Sequence, residues 1–365
     1  MSGRHAERVR RTADEAAAAG LAAVLVSPSP DLAYLAGYDP PPLERLTLLA
    51  IRPGGEGVLL VPLLERPLAL SSPLGDAVEV VGWTDGDDPY RVAAGLLPPG
   101  GPVAVGDRMW VSHLLELQRA APDTAFTSAS PVISRLRAVK DADEVAALGR
   151  AGRAADETFR QICSARFEGR SEEDVAHDLA DLLVRTGHER ADFTIVASGP
   201  NGASPHHEPG GRTIRARDAV VMDFGGEFGG YFSDTTRTVV VGEAPPGFLE
   251  VYETVRAAHD AALGTIAPGV EAQDVDLAAR RVIEVAGYGE RFIHRTGHGI
   301  GLEVHEPPWI VAGNDLELAP GMTFSVEPGI YLEGRFGVRI EDIVVVTDDG
   351  ADRLNRSSRD LKVVD

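Results

Sequence analysis

Cysteine and lysine are nearly missing from this chain. Its 365 residues include one cysteine, Cys163, and two lysines, Lys140 and Lys362. A single thiol excludes an internal disulfide and any zinc or iron–sulfur site built on paired cysteines. Cys163 falls in the helical stretch DETFRQICSARF, where it reads as a small buried residue and not as a nucleophile. Almost all positive charge is therefore arginine, which with the many alanines reads as coding bias before it reads as function. Long apolar runs are also lacking. No stretch approaches the ~20 apolar residues of a membrane span. The basic residues of MSGRHAERVRRTADE are not followed by the apolar core of a secretory signal, so a cytoplasmic location is expected. With 35 basic against 56 acidic residues the net charge is −21, a poor match for nucleic-acid phosphates or an anionic membrane. Neither is expected as a partner.

What is present is an ordinary folded composition, 44% hydrophobic and 25% charged, at a length that suggests about two domains. Up to residue 133, short helical and strand patterns alternate. HAERVRRTADEAAAAG has helical spacing and stops at Gly20, LAAVLV reads as a buried strand, and LTLLAIR and GVLLVP flank a PGGEG hairpin turn. AVEVVGW and PVAVGD add two more strands. A small α/β domain over 1–133 is expected, with no cluster of ligand-type side chains of its own. Its expected role is substrate enclosure or subunit contact, which points to a homodimer.

From residue 134 the pattern changes. Asp141 with Glu144, and Ser171 with Asp174, form capping-box starts of two helices. A strand-rich region follows (192–241), then two more helices, then a second strand-rich region (291–347). Helix-plus-hairpin thus occurs twice. The hairpins are AVVMDFGGEFGGYFSDTTRTVVVG and MTFSVEPGIYLEGRFGVRIEDIVVVT, and each arm carries an acid in an apolar setting: Asp223, Asp234, Glu327 and Glu341. Residues so spaced on opposite arms of a hairpin can face each other across the ladder. Taken singly, each acid reads as a paired core residue. Four at matching places in two similar hairpins do not, because carboxylates brought together in an apolar interior repel unless a cation lies between them.

RTGHGIGLEVHEPP supplies a fifth candidate. His298 is flanked by Gly297, Gly299 and Gly301, which allow close backbone approach. The spacing is not the dinucleotide fingerprint G-x-G-x-x-G, and HEPP is not the zincin H-E-x-x-H.

DFGG, SDTTRT, GHGIGLEVHE, SVEPGIY and VRIEDIV, in that order, resemble the motifs of the pita-bread metallopeptidases. Within that group they are most similar to Xaa-Pro dipeptidase (prolidase) and aminopeptidase P. The resemblance implies an α+β fold, with a pita-bread catalytic domain over 134–365 preceded by a creatinase-type N-terminal domain. It implies a two-metal centre held by Asp223, Asp234, His298, Glu327 and Glu341, with Asp234 and Glu341 bridging, Asp223 on one ion and His298 with Glu327 on the other. Manganese is the first expectation, with cobalt or zinc as alternatives. Glu327 would also move a proton to the leaving nitrogen. His206 and His305 match the family's substrate-facing histidines, whereas His207 is treated as a bystander. Arg339, two residues before Glu341, would orient it or meet a substrate carboxylate. Asp342 is expected to face away from the site.

Three other readings compete. A creatinase-like hydrolase would not need the intact ligand set, and a non-catalytic binding protein of this fold should show broken ligands. A methionine aminopeptidase would lack the preceding domain and the HEPP and VRIED contexts. The expected substrate is a small peptide with proline at the second position. No motif separates dipeptidase from aminopeptidase P, although the compact N-terminal domain favours the dipeptidase.

Overall fold

The computed structural model describes residues 2–75 and 78–365. The chain divides into two compact units, Met1–Arg137 and Ala138–Asp365. The first contains a six-stranded sheet in the order Glu79–Trp83, Gly57–Pro62, Leu48–Ile51, Ala23–Val26, Val103–Val105, Phe126–Ser128. Its central strand Ala23–Val26 pairs antiparallel with Leu48–Ile51 and parallel with Val103–Val105. All four of its side chains are buried, the continuous apolar run expected of a strand covered on both faces. The opening helix Ser2–Ala18 ends just before Gly20, whose φ of 71° gives the left-handed exit that glycine tolerates best.

The second unit is built from two helix-plus-hairpin halves. Both expected capping boxes are present. Asp141 and Glu144 exchange side-chain-to-backbone bonds at the start of helix Ala142–Ile162, and Ser171 and Asp174 do the same for Glu172–Arg185. These helices bury Phe159, Ile162, Val175, Leu179 and Leu183 against Val220, Met222, Phe224 and Val239 of a four-stranded sheet. In the second half, helices Phe248–Thr265 and Ala272–Val285 bury Phe248, Val255, Val275 and Ile283 with Phe324, Val326 and Val344. Each fully buried side chain of this size stabilises the fold by roughly 1.5–3 kcal/mol.

The first hairpin is one long ladder. Ala219–Phe228 pairs with Tyr231–Val241 around Gly229 and Gly230, both at positive φ, as a two-residue hairpin turn requires. The register corrects one expectation. Asp223 lies opposite Thr236 and Asp234 opposite Gly225, so the two acids are diagonal neighbours and not a facing pair. Gly225 is demanded by packing, since a side chain there would run into the Ser233 carbonyl and the Phe193 ring.

The second hairpin is not one continuous ladder. Its arms break into Thr323–Val326 paired with Asp342–Val346, and Gly329–Leu332 paired with Phe336–Arg339. Glu327 and Glu341 fall in the break. Pro328 has no N–H to continue the ladder. The freed backbone groups turn elsewhere: Glu327 donates its N–H to the Thr296 carbonyl (2.8 Å) and Glu341 to the Thr236 carbonyl (3.1 Å). The latter bond joins the two hairpins at the level of the acids.

Candidate metal centre

One cavity of about 390 Å³ lies in the second unit, and all eight residues singled out from the sequence line it: Asp223, Asp234, His298, Glu327, Glu341, His206, His305 and Arg339. The long hairpin supplies Asp223 and Asp234, the broken one Glu327, Arg339 and Glu341, and the short strand Gly297–Gly299 supplies His298. That strand is squeezed on both sides. A side chain at Gly297 would land on the Ser325 carbonyl, and one at Gly299 on the carbonyls of Glu306 and Pro307. The glycines around His298 therefore admit neighbouring strands.

The His298 ring has a defined tautomer. Its Nδ1–H donates to the Gly299 carbonyl at 3.1 Å, which leaves a lone pair on Nε2. That lone pair faces Glu327 Oε1 at 3.4 Å and Asp234 Oδ2 at 3.5 Å. Burial, reinforced by the neighbouring His305, pushes His298 down to about 3, so the imidazole is neutral. Burial also raises Asp234 and Glu341 well above the carboxylate range. Mutual repulsion adds to it, from Glu341, Asp223 and Glu327 on Asp234, and from Glu327 and Asp223 on Glu341. Glu327 is raised in the same direction, first by burial.

Ligand-type atoms of Asp234, His298 and Glu341 lie within 4.8 Å of one another, and all three residues are buried. Asp223 Oδ1 and Asp234 Oδ1 are buried with no hydrogen-bond partner. Carboxylate oxygens buried without a donor are costly as they stand, and a divalent cation would satisfy them. These residues fit a metal.

Arg339 reaches Glu341 only through Thr236. It makes no bond to Glu341. Its guanidinium donates to Asp223 Oδ2 (2.5 Å), the Thr236 hydroxyl (3.0 Å) and the Tyr331 hydroxyl (2.9 Å). The strand ends at Arg339, so the alternation that would put residues 339 and 341 on one face stops there. Thr236 in turn donates its hydroxyl to Glu341 Oε2 at 2.7 Å. Asp342 does face away, fully buried and ion-paired with Arg237 (2.6 Å) and Arg353 (3.1 Å). His207 is outside the cavity and meets Glu172 at 2.8 Å.

Several pocket residues were not legible in the sequence. His294 directs Nδ1–H to the Arg295 carbonyl (2.7 Å) and accepts on Nε2 from Tyr331 (2.8 Å), whose oxygen accepts from Arg339. Arg295 stacks over Trp309, and Phe193, Ile195 and Val304 make the wall apolar. For His294, Arg295 and Val304 the only available signal was position next to or within GHGIGLEVHE.

Residues 146–348 match metallopeptidase family M24, and residues 8–139 match the creatinase/prolidase N-terminal domain. The chain belongs to metallopeptidase family M24. Like that family it is a metal-dependent peptidase, with the pita-bread catalytic fold behind a creatinase-type N-terminal domain. It is 46% identical over 364 residues to a probable dipeptidase, PepE, of Mycobacterium tuberculosis, covering 99% of this chain and 96% of that one. It is 38% identical over 341 residues to an Xaa-Pro dipeptidase of Lactobacillus helveticus, covering 91% and 92%. The crystal structure of dipeptidase PepE from Mycobacterium ulcerans superposes with a TM-score of 0.95 at 44% identity, over 100% of this chain and 98% of that chain. This M24 member uses a divalent metal, and the buried acids at the seam of the two hairpins are the candidate ligands.

Proposed function

We propose that this chain is an Xaa-Pro dipeptidase that hydrolyses the bond before proline in dipeptides. The observation that carries the reading is the seam itself: four carboxylates and one neutral imidazole, from two hairpins and one short strand, turned into one cavity. The cavity volume, about 390 Å³, is toward the small end for ligand pockets, which suits a short peptide. The dipeptidase names of the relatives point the same way.

In this reading Asp223, Asp234, His298, Glu327 and Glu341 would hold two divalent ions, with Mn²⁺ favoured by the oxygen-rich set. Such ions supply Lewis acidity and bring water to a nucleophilic state near neutral pH. Glu327 takes the proton of the attacking water on a carboxylate oxygen and returns it to the leaving proline nitrogen. His206 and His305, both exposed at the cavity mouth, donate to the substrate carbonyl as charge develops on its oxygen. Arg339 acts through Asp223, which it holds in place.

Aminopeptidase P activity is the second reading, favoured by the family's shared centre. Turnover of Ala-Pro compared with Ala-Pro-Ala on metal-loaded protein tests the choice. Preference for the dipeptide supports the proposal, and efficient cleavage of the tripeptide and longer chains overturns it. Among the described residues no helix is long and apolar enough to cross a membrane. We place the enzyme in the cytoplasm, as a homodimer. A fully active monomer by light scattering would refute the dimer.

A further inference from the structure

His206 reaches the cavity, and among the described residues its imidazole makes no hydrogen bond or ion pair. Its position is therefore set by the backbone beneath it, and that backbone is tied to a residue outside the cavity. Glu172 opens helix Glu172–Arg185 and its side chain is fully buried. Its Oε1 accepts from the Ser198 N–H (2.7 Å) and the Ser198 hydroxyl (2.6 Å). The Asn201 amide donates to both oxygens, at 3.1 and 3.0 Å. The His207 Nε2–H donates to Oε2 at 2.8 Å.

All of these donors belong to the segment 198–207. Ser198 ends strand Arg190–Ser198, Asn201 lies in the turn Gly199–Ala203, and His207 follows His206 directly. One carboxylate thus clamps the segment at its start, middle and end. Around it, Arg212 pairs with Asp218 (2.7 Å) and donates to the Ser198 hydroxyl, so the clamp is itself held. The Ser204 N–H to the Asn201 carbonyl (3.0 Å) tightens the turn between the anchor points.

We propose that Glu172 and His207 are positioning residues for His206, holding the segment 198–207 so that the His206 ring stands at the cavity wall before substrate arrives. A donor acts on developing charge only if it is placed in advance, and a misplacement of about 1 Å costs on the order of a hundredfold. The inference rests on the reading of His206 as a substrate-facing donor.

The test uses the full-length, Mn²⁺-loaded protein and four variants: His207→Ala, His207→Gln, His206→Ala and the His206→Ala/His207→Ala double. Glu172→Gln is added if it folds. His207 is partly exposed (21%), so its replacement should leave the fold intact. His207→Ala should lower kcat on Ala-Pro about tenfold with KM and metal content near parent. His207→Gln, which keeps an N–H donor of similar reach, should restore most of the loss. In the His206→Ala background the same substitution should change kcat less than twofold. Hydrogen–deuterium exchange of 198–207 should rise in His207→Ala and not in His207→Gln. Unchanged exchange, or an equal loss of kcat with and without His206, would overturn the proposal. Raised exchange with parent kcat in His206→Ala would instead overturn the catalytic reading of His206 and leave the tether standing.

Discussion

Arg339 holds Asp223 through a 2.5 Å hydrogen bond that spans 116 positions of sequence and joins the two hairpins at the candidate metal centre. The pair is buried, with side-chain exposures of 4% and 14%. Removing one partner of such a pair leaves a charge out of water without compensation, at about 3–5 kcal/mol. Arg339→Met should therefore lower the melting temperature of metal-free protein and weaken metal retention, because Asp223 is no longer fixed. Thermal melts and elemental analysis check this. Parent stability and metal content together would show that the bond does not position Asp223.

Metal removal should abolish peptidase activity, and Mn²⁺ should restore it. Asp234→Ala and Glu341→Ala each remove a buried carboxylate from the seam and should lose metal along with turnover. Two ions per chain in both variants would refute the bridging roles. His206→Ala and His305→Ala should keep their metal and lose about 3 kcal/mol of transition-state stabilisation, on the order of a hundredfold in kcat. Surplus Mn²⁺ should not rescue them. Rescue would reassign them to support of the metal site.

Lys140, one of the two lysines, pairs with Glu306 at 2.7 Å with both side chains only 2% exposed. Glu306 is next to His305. Lys140→Met alone should destabilise by about 3–5 kcal/mol, because it leaves Glu306 buried beside an apolar group. Lys140→Met/Glu306→Leu should recover most of that loss. Urea unfolding of the single and double variants measures the difference, and an additive double loss would contradict it.

His259 should make the fold acid-sensitive. It is fully buried, and its Nδ1 accepts from Arg359 at 3.0 Å, so a second proton has no place without breaking that bond. Burial, and then Arg359, Arg237 and Arg353, hold it well below the ordinary histidine value, while Asp260 and the nearby Asp342 oppose this only partly. The folded chain keeps the ring neutral and the unfolded chain protonates it below about pH 6.5. Its contribution is thus present above that value and lost as pH falls, at about 1.4 kcal/mol per pH unit. His259→Gln should flatten the loss of urea stability between pH 7 and 5.5 relative to parent. An identical slope would refute the assignment.

Much of this protein was written locally. Capping boxes, glycine turns and apolar runs depend on residues a few positions apart, so the helices starting at Ala142 and Glu172 and the central strands were legible in the sequence. The candidate ligands were legible as well, since an acid in an apolar run is costly wherever the chain folds. What only the tertiary structure decided was how those acids meet. The diagonal register of Asp223 and Asp234, the ladder break at Glu327 and Glu341, and the turn of Arg339 toward Asp223 all depend on bonds between strands far apart in sequence. Alternation along one strand predicts faces only while its ladder continues. At the seam the ladder stops, because the Glu341 N–H finds its partner on the other hairpin and the Glu327 N–H on Thr296, just before the strand of His298, and local spacing carries no information about that choice.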